Sequence, residues 1–278
     1  MFELYDIRKK EFEKIIINYF DNDKLGAVLN YSIEFGKRIR PLILIETYKM
    51  LKDNNYSNEE FENVLGYAIS LEMIHNYSLI HDDLPSMDND NFRRGRETTH
   101  YKFGEDMGIL AGDSLLNYSY ENIFKILSNN NSINYINAAK YLAECAGYQG
   151  MIEGQVLDIN DNINNIDDLI KMYKNKTCKL IMAATKIPGY ISSKSNDILE
   201  ELELLGFYIG MAFQIQDDLL DVKQDEKINK LTYISFTGKD KAYCDMINYS
   251  KKALKILLKY KYNDFLVKLI ENLIKRKH

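Results

Sequence analysis

The residues best placed to do chemistry are two aspartate-rich segments, Asp82-Asp83-Leu84-Pro85-Ser86-Met87-Asp88 and Asp217-Asp218-Leu219-Leu220-Asp221. Arg93-Arg94 follows the first, and Gln214 precedes the second by three residues. Carboxylates this dense repel one another by roughly 3 kcal/mol per pair about 5 Å apart at an effective dielectric of ~20, so a cation is expected among them. Oxygen-only ligands favour Mg²⁺ over zinc, and Mg²⁺ commonly shares its shell with water and substrate phosphates. The pattern therefore points to chemistry on a diphosphate.

Basic and polar residues supply the other half of such a site. Glu34 to Pro41 is a basic cluster opening an apolar helix, with Pro41 in its first turn, where backbone amides favour an anion. Lys37, Arg38 and Arg40 are expected at that helix start. His75, Ser78 and Asp82 fall at i, i+3 and i+7, one face of a helix, with Glu72 one turn earlier. A polar stripe inside an apolar helix faces a polar cavity or a subunit contact. Pro85 disfavours helical geometry at Leu84, so Asp88 must return towards Asp82 from a turn.

The elements that position these groups read as helices almost throughout. With three prolines, 14 glycines and 46% hydrophobic residues in 278, recurring at helical spacing, the chain is expected to be all-α, a single domain of long helices spanning 1–278. Expected helices cover 1–20, Leu42–Leu51, Phe61–Leu84, Tyr101–Leu127, Ile136–Gly147, Ile166–Leu180 (carrying Lys176-Thr177), Ile198–Val222 and an amphipathic stretch Lys251–His278. Gly150–Asp158, with Gln155 and Asp158, is expected to be a break. The longest apolar stretch, Leu204 to Phe213, is too short to span a bilayer, and no secretory signal core opens the chain, so a soluble cytoplasmic protein is expected. Cys145, Cys178 and Cys244 lack metal-ligand spacing and are read as packing thiols. The net charge of −5 gives no electrostatic reason to expect nucleic acid.

The strings HNYSLIHDDLPSMDNDNFRRG, ILAGDSLL, KTCKL and FQIQDDLLD, in this order between about Gly36 and Asp221, resemble the trans-isoprenyl diphosphate synthases, also called the polyprenyl synthetase family. The resemblance implies an all-helical homodimer, each chain a single-domain bundle of long helices around a central cavity, in which Asp82, Asp83, Asp88, Asp217, Asp218 and Asp221 hold Mg²⁺ against an allylic diphosphate, dimethylallyl or geranyl. Arg93, Lys176, Thr177 and Gln214 match positions that hold the same diphosphate. Lys37, Arg40, His75 and Arg94 match those that bind isopentenyl diphosphate. Asp82, Asp83, Asp88, Lys176 and Asp217 are the implied catalytic set.

Tyr77, five residues before Asp82, together with Pro85-Ser86, resembles bacterial farnesyl diphosphate synthases and implies a fifteen-carbon product limited by Tyr77. A geranylgeranyl diphosphate synthase and a non-catalytic or regulatory subunit of a heteromeric synthase remain alternatives. The second is motivated by a departure: relatives carry a glycine-containing loop with a lysine after the second acidic motif, whereas here the stretch from Asp221 to Tyr233 is shorter and lacks glycine. Lys227 or Lys230 is the expected substitute. Phe35-Gly36 replaces a double glycine, and Lys275-Arg276-Lys277 resembles the family's basic end.

Overall fold

The computed structural model describes residues 2–159, 163–227 and 231–275, with the backbone alone for 223–227. Among them are fourteen α-helices, one π-helical turn and one minimal β-hairpin, so the fold is all-α as expected. Two compact units are distinguished, and each is described by itself. The hairpin unit comprises Glu3–Leu42 and Asn58–Asn131; the long-helix unit comprises Met1–Phe2, Ile43–Ser57 and Ser132–His278.

The hairpin unit is built on α4 (Asn58–Asp82) packed against α6 (Glu105–Asn129). Glycine lets them approach closely. A Cβ on Gly66 would sit 2.5 Å from Ile126, and one on Gly112 would sit 2.0 Å from Nε2 of His81. Asn122 ties the two helices by donating to the Gly66 carbonyl and to Ser70 Oγ, each at 2.9 Å. α1 (Glu3–Ile16) ends four residues before the sequence expectation, and Ile15 is exposed. Asn18 lies at φ +52°, and Tyr19 and Phe20 instead join Tyr118 in an aromatic cluster. A helix the sequence reading omitted, α2 (Lys24–Ile33), is started by Asp23, whose carboxylate accepts from the Gly26 amide at 2.7 Å. The expected Tyr101–Leu127 helix is split by Gly104, at φ +100°, into α5 (Thr99–Phe103) and α6.

In the long-helix unit, α11 (Asn196–Lys227) packs against α10 (Lys179–Ile191) and α13 (Lys239–Leu257). α3 (Ile39–Leu51) supplies residues to both units, and α7 spans Ile133–Ala146. Buried Leu169, Met172, Cys178, Met211, Ile215 and Met246 form a core under the second acidic segment. Gly150–Asp158 is not a break: α8 runs from Met151 to Ile159. α9 (Ile166–Tyr173), a π-helical turn (Lys174–Cys178) and α10 follow one another without interruption. A short α12 (Tyr233–Thr237) precedes α13. Within the amphipathic stretch Lys251–His278, the described residues form the end of α13, a turn, and α14 (Asp264–Lys275); Asn263 bonds the carbonyls of Leu257 and Tyr260 there. Cys145 and Cys178 are buried, whereas Cys244 is exposed and does not pack.

Candidate active site

The first acidic segment begins where α4 stops. Without helical geometry beyond Asp82, the chain folds through a turn in which the Asp88 amide donates to the Asp82 carbonyl at 2.9 Å. Asp88 thereby returns beside Asp82, as the proline argument required. Asp82 is half-buried, Asp83 buried and Asp88 exposed. Arg93 donates to Asp83 Oδ1 from Nε at 2.7 Å and approaches it with Nη2 at 2.6 Å. Burial pushes the Asp83 carboxyl above the usual carboxylate range, and the Arg93 guanidinium opposes that rise.

Arg93 stands on a hairpin of β1 (Phe92–Arg93) and β2 (Arg96–Glu97), in the register Phe92 with Glu97 and Arg93 with Arg96. Its two turn residues, Arg94 and Gly95, have φ of +55° and +77°, as a two-residue type I′ turn requires. A non-glycine residue held there is strained, which presents Arg94 at the tip. Lys37, Asp83, Arg93 and Arg94 line a cavity of ≈ 520 Å³ within this unit.

His75 and Arg40 meet on α4 and α3, with Arg40 Nη1 3.2 Å from His75 Nε2. A guanidinium only donates, so Nε2 accepts and the ring proton sits on Nδ1. Burial, then the charges of Arg40, Arg94, Arg93 and Arg38, hold His75 well below its ordinary value, so it is neutral at pH 7. Arg38, expected at the anion-binding helix start, is turned inward instead. It is 2% exposed, lies at φ +53° and binds Glu72 Oε1 at 2.8 Å and the Ile33 carbonyl. Gly36 leaves room beside this pair: a Cβ there would lie 2.9 Å from the Arg38 Nη1, and the guanidinium would have to shift. Glu72, read from sequence only as part of a stripe, is thus Arg38's buried counter-ion. Tyr77 is buried on α4, its ring edge-on to His81 at 5.8 Å, and burial raises its hydroxyl to about 12.

The second acidic segment lies inside α11, where Gln214, Asp218 and Asp221 share a face. Asp217 is half-buried, Asp218 buried and Asp221 exposed. Asp218 Oδ2 accepts from the Tyr173 hydroxyl at 2.7 Å and the Tyr233 amide at 2.9 Å, while Oδ1 accepts from Gln214 Nε2 at 3.3 Å. Gln214 Oε1 in turn accepts from Thr177 Oγ1 at 2.9 Å. Thr177 and Lys176 sit in the π-helical turn, whose extra residue rotates the helix and turns neighbouring side chains to different partners. Lys176 forms an ion pair with Asp158 on α8. That approach depends on Gly154, where a Cβ would lie 2.1 Å from the Lys176 amide nitrogen.

Sequence reasoning named Thr177, Gln214 and the aspartates. It missed Tyr173, Tyr233 and the Asp158 partner of Lys176, whose roles come from packing; the Gln155 and Asp158 pair in Gly150–Asp158 was the only signal for the last. Lys230, Arg276 and Lys277 lie outside the described residues, as does the Lys227 side chain. Among the described residues, no three His, Cys, Asp or Glu side chains converge into a ready-made metal cage. The donors at both segments are carboxylate oxygens, with Asp88 and Asp221 exposed. Such a set fits a hard divalent ion that keeps waters and shares its shell with phosphate oxygens.

Comparison with known proteins places this geometry. The family model for polyprenyl synthetase matches residues 22–236. A farnesyl diphosphate synthase of Micrococcus luteus is 36% identical, covering 91% of this chain and 89% of its own. One from Geobacillus stearothermophilus is 40% identical over 74% of this chain and 69% of its own. Among solved structures, a geranyltransferase from Helicobacter pylori, complexed with magnesium and isoprenyl diphosphate, superposes with a TM-score of 0.84 at 29% identity, covering 98% of this chain and 97% of that one.

Proposed function

The chain belongs to the polyprenyl synthetase family, and from that premise we propose that it is a trans-prenyltransferase joining isopentenyl diphosphate to dimethylallyl or geranyl diphosphate, with farnesyl diphosphate as product. The observation that carries this reading lies on one helix. α4 ends in the carboxylates of Asp82, Asp83 and, across the turn, Asp88. Seven residues earlier, about 10 Å along the helix axis, its His75 stands among Arg40, Arg94, Arg93 and Arg38. An acidic end suited to a metal-held diphosphate and a cationic station suited to a metal-free one are what a two-diphosphate reaction needs.

Mg²⁺ held by these carboxylates supplies Lewis acidity and positive charge to a leaving diphosphate. Asp82 and Asp88 in the first segment, and Asp217 and Asp221 in the second, are read as the residues that would hold Mg²⁺ ions. Asp83 and Asp218, expected from sequence to be ligands as well, are read as the buried supports, because Arg93 holds one and Tyr173, Tyr233 and Gln214 hold the other. Lys176, Thr177 and Gln214, with Arg93, bind the allylic diphosphate, and Lys37, Arg40, Arg94 and neutral His75 bind isopentenyl diphosphate. The allylic carbon–oxygen bond breaks with its electron pair leaving on the diphosphate. The isopentenyl double bond then attacks the allylic cation, a carbon–carbon bond forms, and a proton passes to the departed diphosphate, restoring an alkene. No side chain is nominated as its base.

Tyr77 is read as the limit on chain length, supported by its burial on α4 five residues before Asp82. Residues 1–278 are read as a single functional domain that works as a homodimer in the cytoplasm. Exposed Ile109, Leu110 and Phe124 on α6 are consistent with a covered helix. Among the described residues no helix is long and apolar enough to cross a membrane.

The test is incubation of the purified chain with isopentenyl diphosphate and each allylic starter, with Mg²⁺ or with chelator, followed by product-length analysis. A metal-dependent fifteen-carbon product is expected, and Tyr77→Ala is expected to lengthen it. A longer product from the wild type overturns the Tyr77 limit and favours a geranylgeranyl synthase. No product from either starter overturns catalysis in favour of a non-catalytic subunit.

A further inference from the structure

The hairpin that carries Arg93 and Arg94 has only two residues per strand, far too little to hold itself in place. Its position is therefore set by ties to its surroundings. One strand is fastened by Arg93 to Asp83. The other is fastened by Arg96, which faces Arg93 across the ladder and reaches the end of α2. The Arg96 guanidinium carbon lies 3.5 Å from the centroid of the Tyr31 ring and 4.2 Å from that of Phe35. The same guanidinium binds Glu34 Oε2 at 2.8 Å and the Tyr31 carbonyl at 3.4 Å. Tyr31 closes the loop of contacts by donating its hydroxyl to the Glu97 carbonyl at 2.9 Å.

Phe35 is 59% exposed, so core packing does not account for its ring. What it contacts is the Arg96 guanidinium, which stacks on aromatic faces as lysine does not. Two residues on is Lys37, and two residues before Arg96 is Arg94. Tyr31, Phe35, Lys37, Arg93, Arg94 and Arg96 line the same ≈ 520 Å³ cavity. The stack thus joins, at one point, the two stretches of chain that bring Lys37 and Arg94 to one cavity.

We propose that Tyr31, Phe35 and Arg96 form a clasp that sets the spacing of Lys37 and Arg94 and so tunes affinity for the diphosphate that does not ionise. This inference rests on the reading of Lys37 and Arg94 as the isopentenyl diphosphate station. Tyr31, Phe35 and Arg96 are positioning residues: they act through Lys37 and Arg94. The clasp is specific to one of the two substrates, which a general loss of folding would not be.

The experiment is calorimetric titration of the full chain with isopentenyl diphosphate in chelator, where the acidic segments lack the metal needed to hold a diphosphate. Steady-state kinetics with each substrate varied accompany it. Phe35→Ala and Arg96→Lys are expected to weaken binding about threefold to tenfold, as loss of a partly exposed cation–aromatic contact would. They are expected to raise the KM for isopentenyl diphosphate alike while leaving the KM for the allylic diphosphate in place. Phe35→Tyr, which keeps the ring, is expected to restore wild-type affinity. Unchanged binding in Phe35→Ala overturns the clasp, as does an equal rise in both KM values. A wild type that binds isopentenyl diphosphate yet yields no product overturns the prenyltransferase reading and leaves the clasp to be judged by the binding data. A wild type that binds none overturns both.

Discussion

The two acidic segments present the same gradation of exposure on different backbones. In each, the first aspartate is half-buried, the second buried and the last exposed: Asp82, Asp83 and Asp88 in one, Asp217, Asp218 and Asp221 in the other. The first obtains this from a helix that ends and a turn that doubles back, closed by the Asp88 amide on the Asp82 carbonyl. The second obtains it from uninterrupted helix. Their buried members differ more deeply. Asp83 is held by a guanidinium, a single charged partner on a small hairpin, whereas Asp218 is held by a phenol, a backbone amide and a side-chain amide. Exposure is thus the shared requirement, and the means of anchoring varies, because the donors a buried carboxylate needs can come from one guanidinium or from several neutral groups.

The comparison is broken most directly at the outward carboxylates. Asp82→Ala and Asp217→Ala are each expected to lower kcat by about a thousandfold, the scale of losing a preorganised electrostatic group. A fall of less than tenfold in either variant would remove that segment from the chemistry and end the parallel.

The anchors come next. Arg93→Met leaves a buried carboxylate without its counter-charge and is expected to cost about 2 kcal/mol of stability, below the full penalty for a deeply buried pair because Arg93 is partly exposed. Tyr173→Phe removes one of three donors from Asp218 and is expected to cost about 1 kcal/mol. Urea unfolding of both variants at low and high salt checks the contrast. Equal losses would mean that the charged and neutral anchors are equivalent.

The smallest effect sharpens the contrast between the acidic and cationic ends of α4. Burial and the surrounding arginines hold His75 well below 6.5 in the folded chain. Keeping that imidazole neutral contributes stability that is complete above about 6.5 and is lost as pH falls from there through the folded value, because the unfolded chain takes up the proton first. Melting temperature is therefore expected to fall between pH 7 and pH 5 by less in His75→Gln than in the wild type. Identical slopes would show that His75 titrates alike in both states.

Much of this was legible in the sequence because it is local. Pro85 told that α4 must end or kink near Leu84, two residues beyond its observed end at Asp82, and that Asp88 must return by a turn, since the restriction a proline imposes acts on its immediate neighbour. The spacing told that Gln214, Asp221 and either Asp217 or Asp218 share a helical face, and left open which of the adjacent pair it is. Legibility failed where a residue's role depends on a partner far along the chain. Arg38 reads as one of three cations at a helix start, yet Glu72, 34 residues away, draws it inside. Nothing local to Lys176-Thr177 names their partners in the chain: Gly154 admits α8 close enough for Asp158 to bind the lysine, and Thr177, on the π-helical turn, reaches Gln214. Gly150–Asp158 was misread as a break for a related reason: two glycines weaken local helix propensity, and packing against the π-helical turn outweighs that weakness.

By itself, then, the sequence determined the all-helical class, the turn at Pro85 that ends α4, and the kinds of atoms gathered at each acidic segment, since periodicity, ring geometry and ligand chemistry are properties of short stretches of chain; Pro188, inside α10, shows that proline alone does not end a helix. Only the tertiary structure decided which carboxylate of each pair is buried and what neutralises or satisfies it. Burial and hydrogen bonding are settled by residues tens of positions apart, and a charge run in sequence does not say which of its members will face solvent.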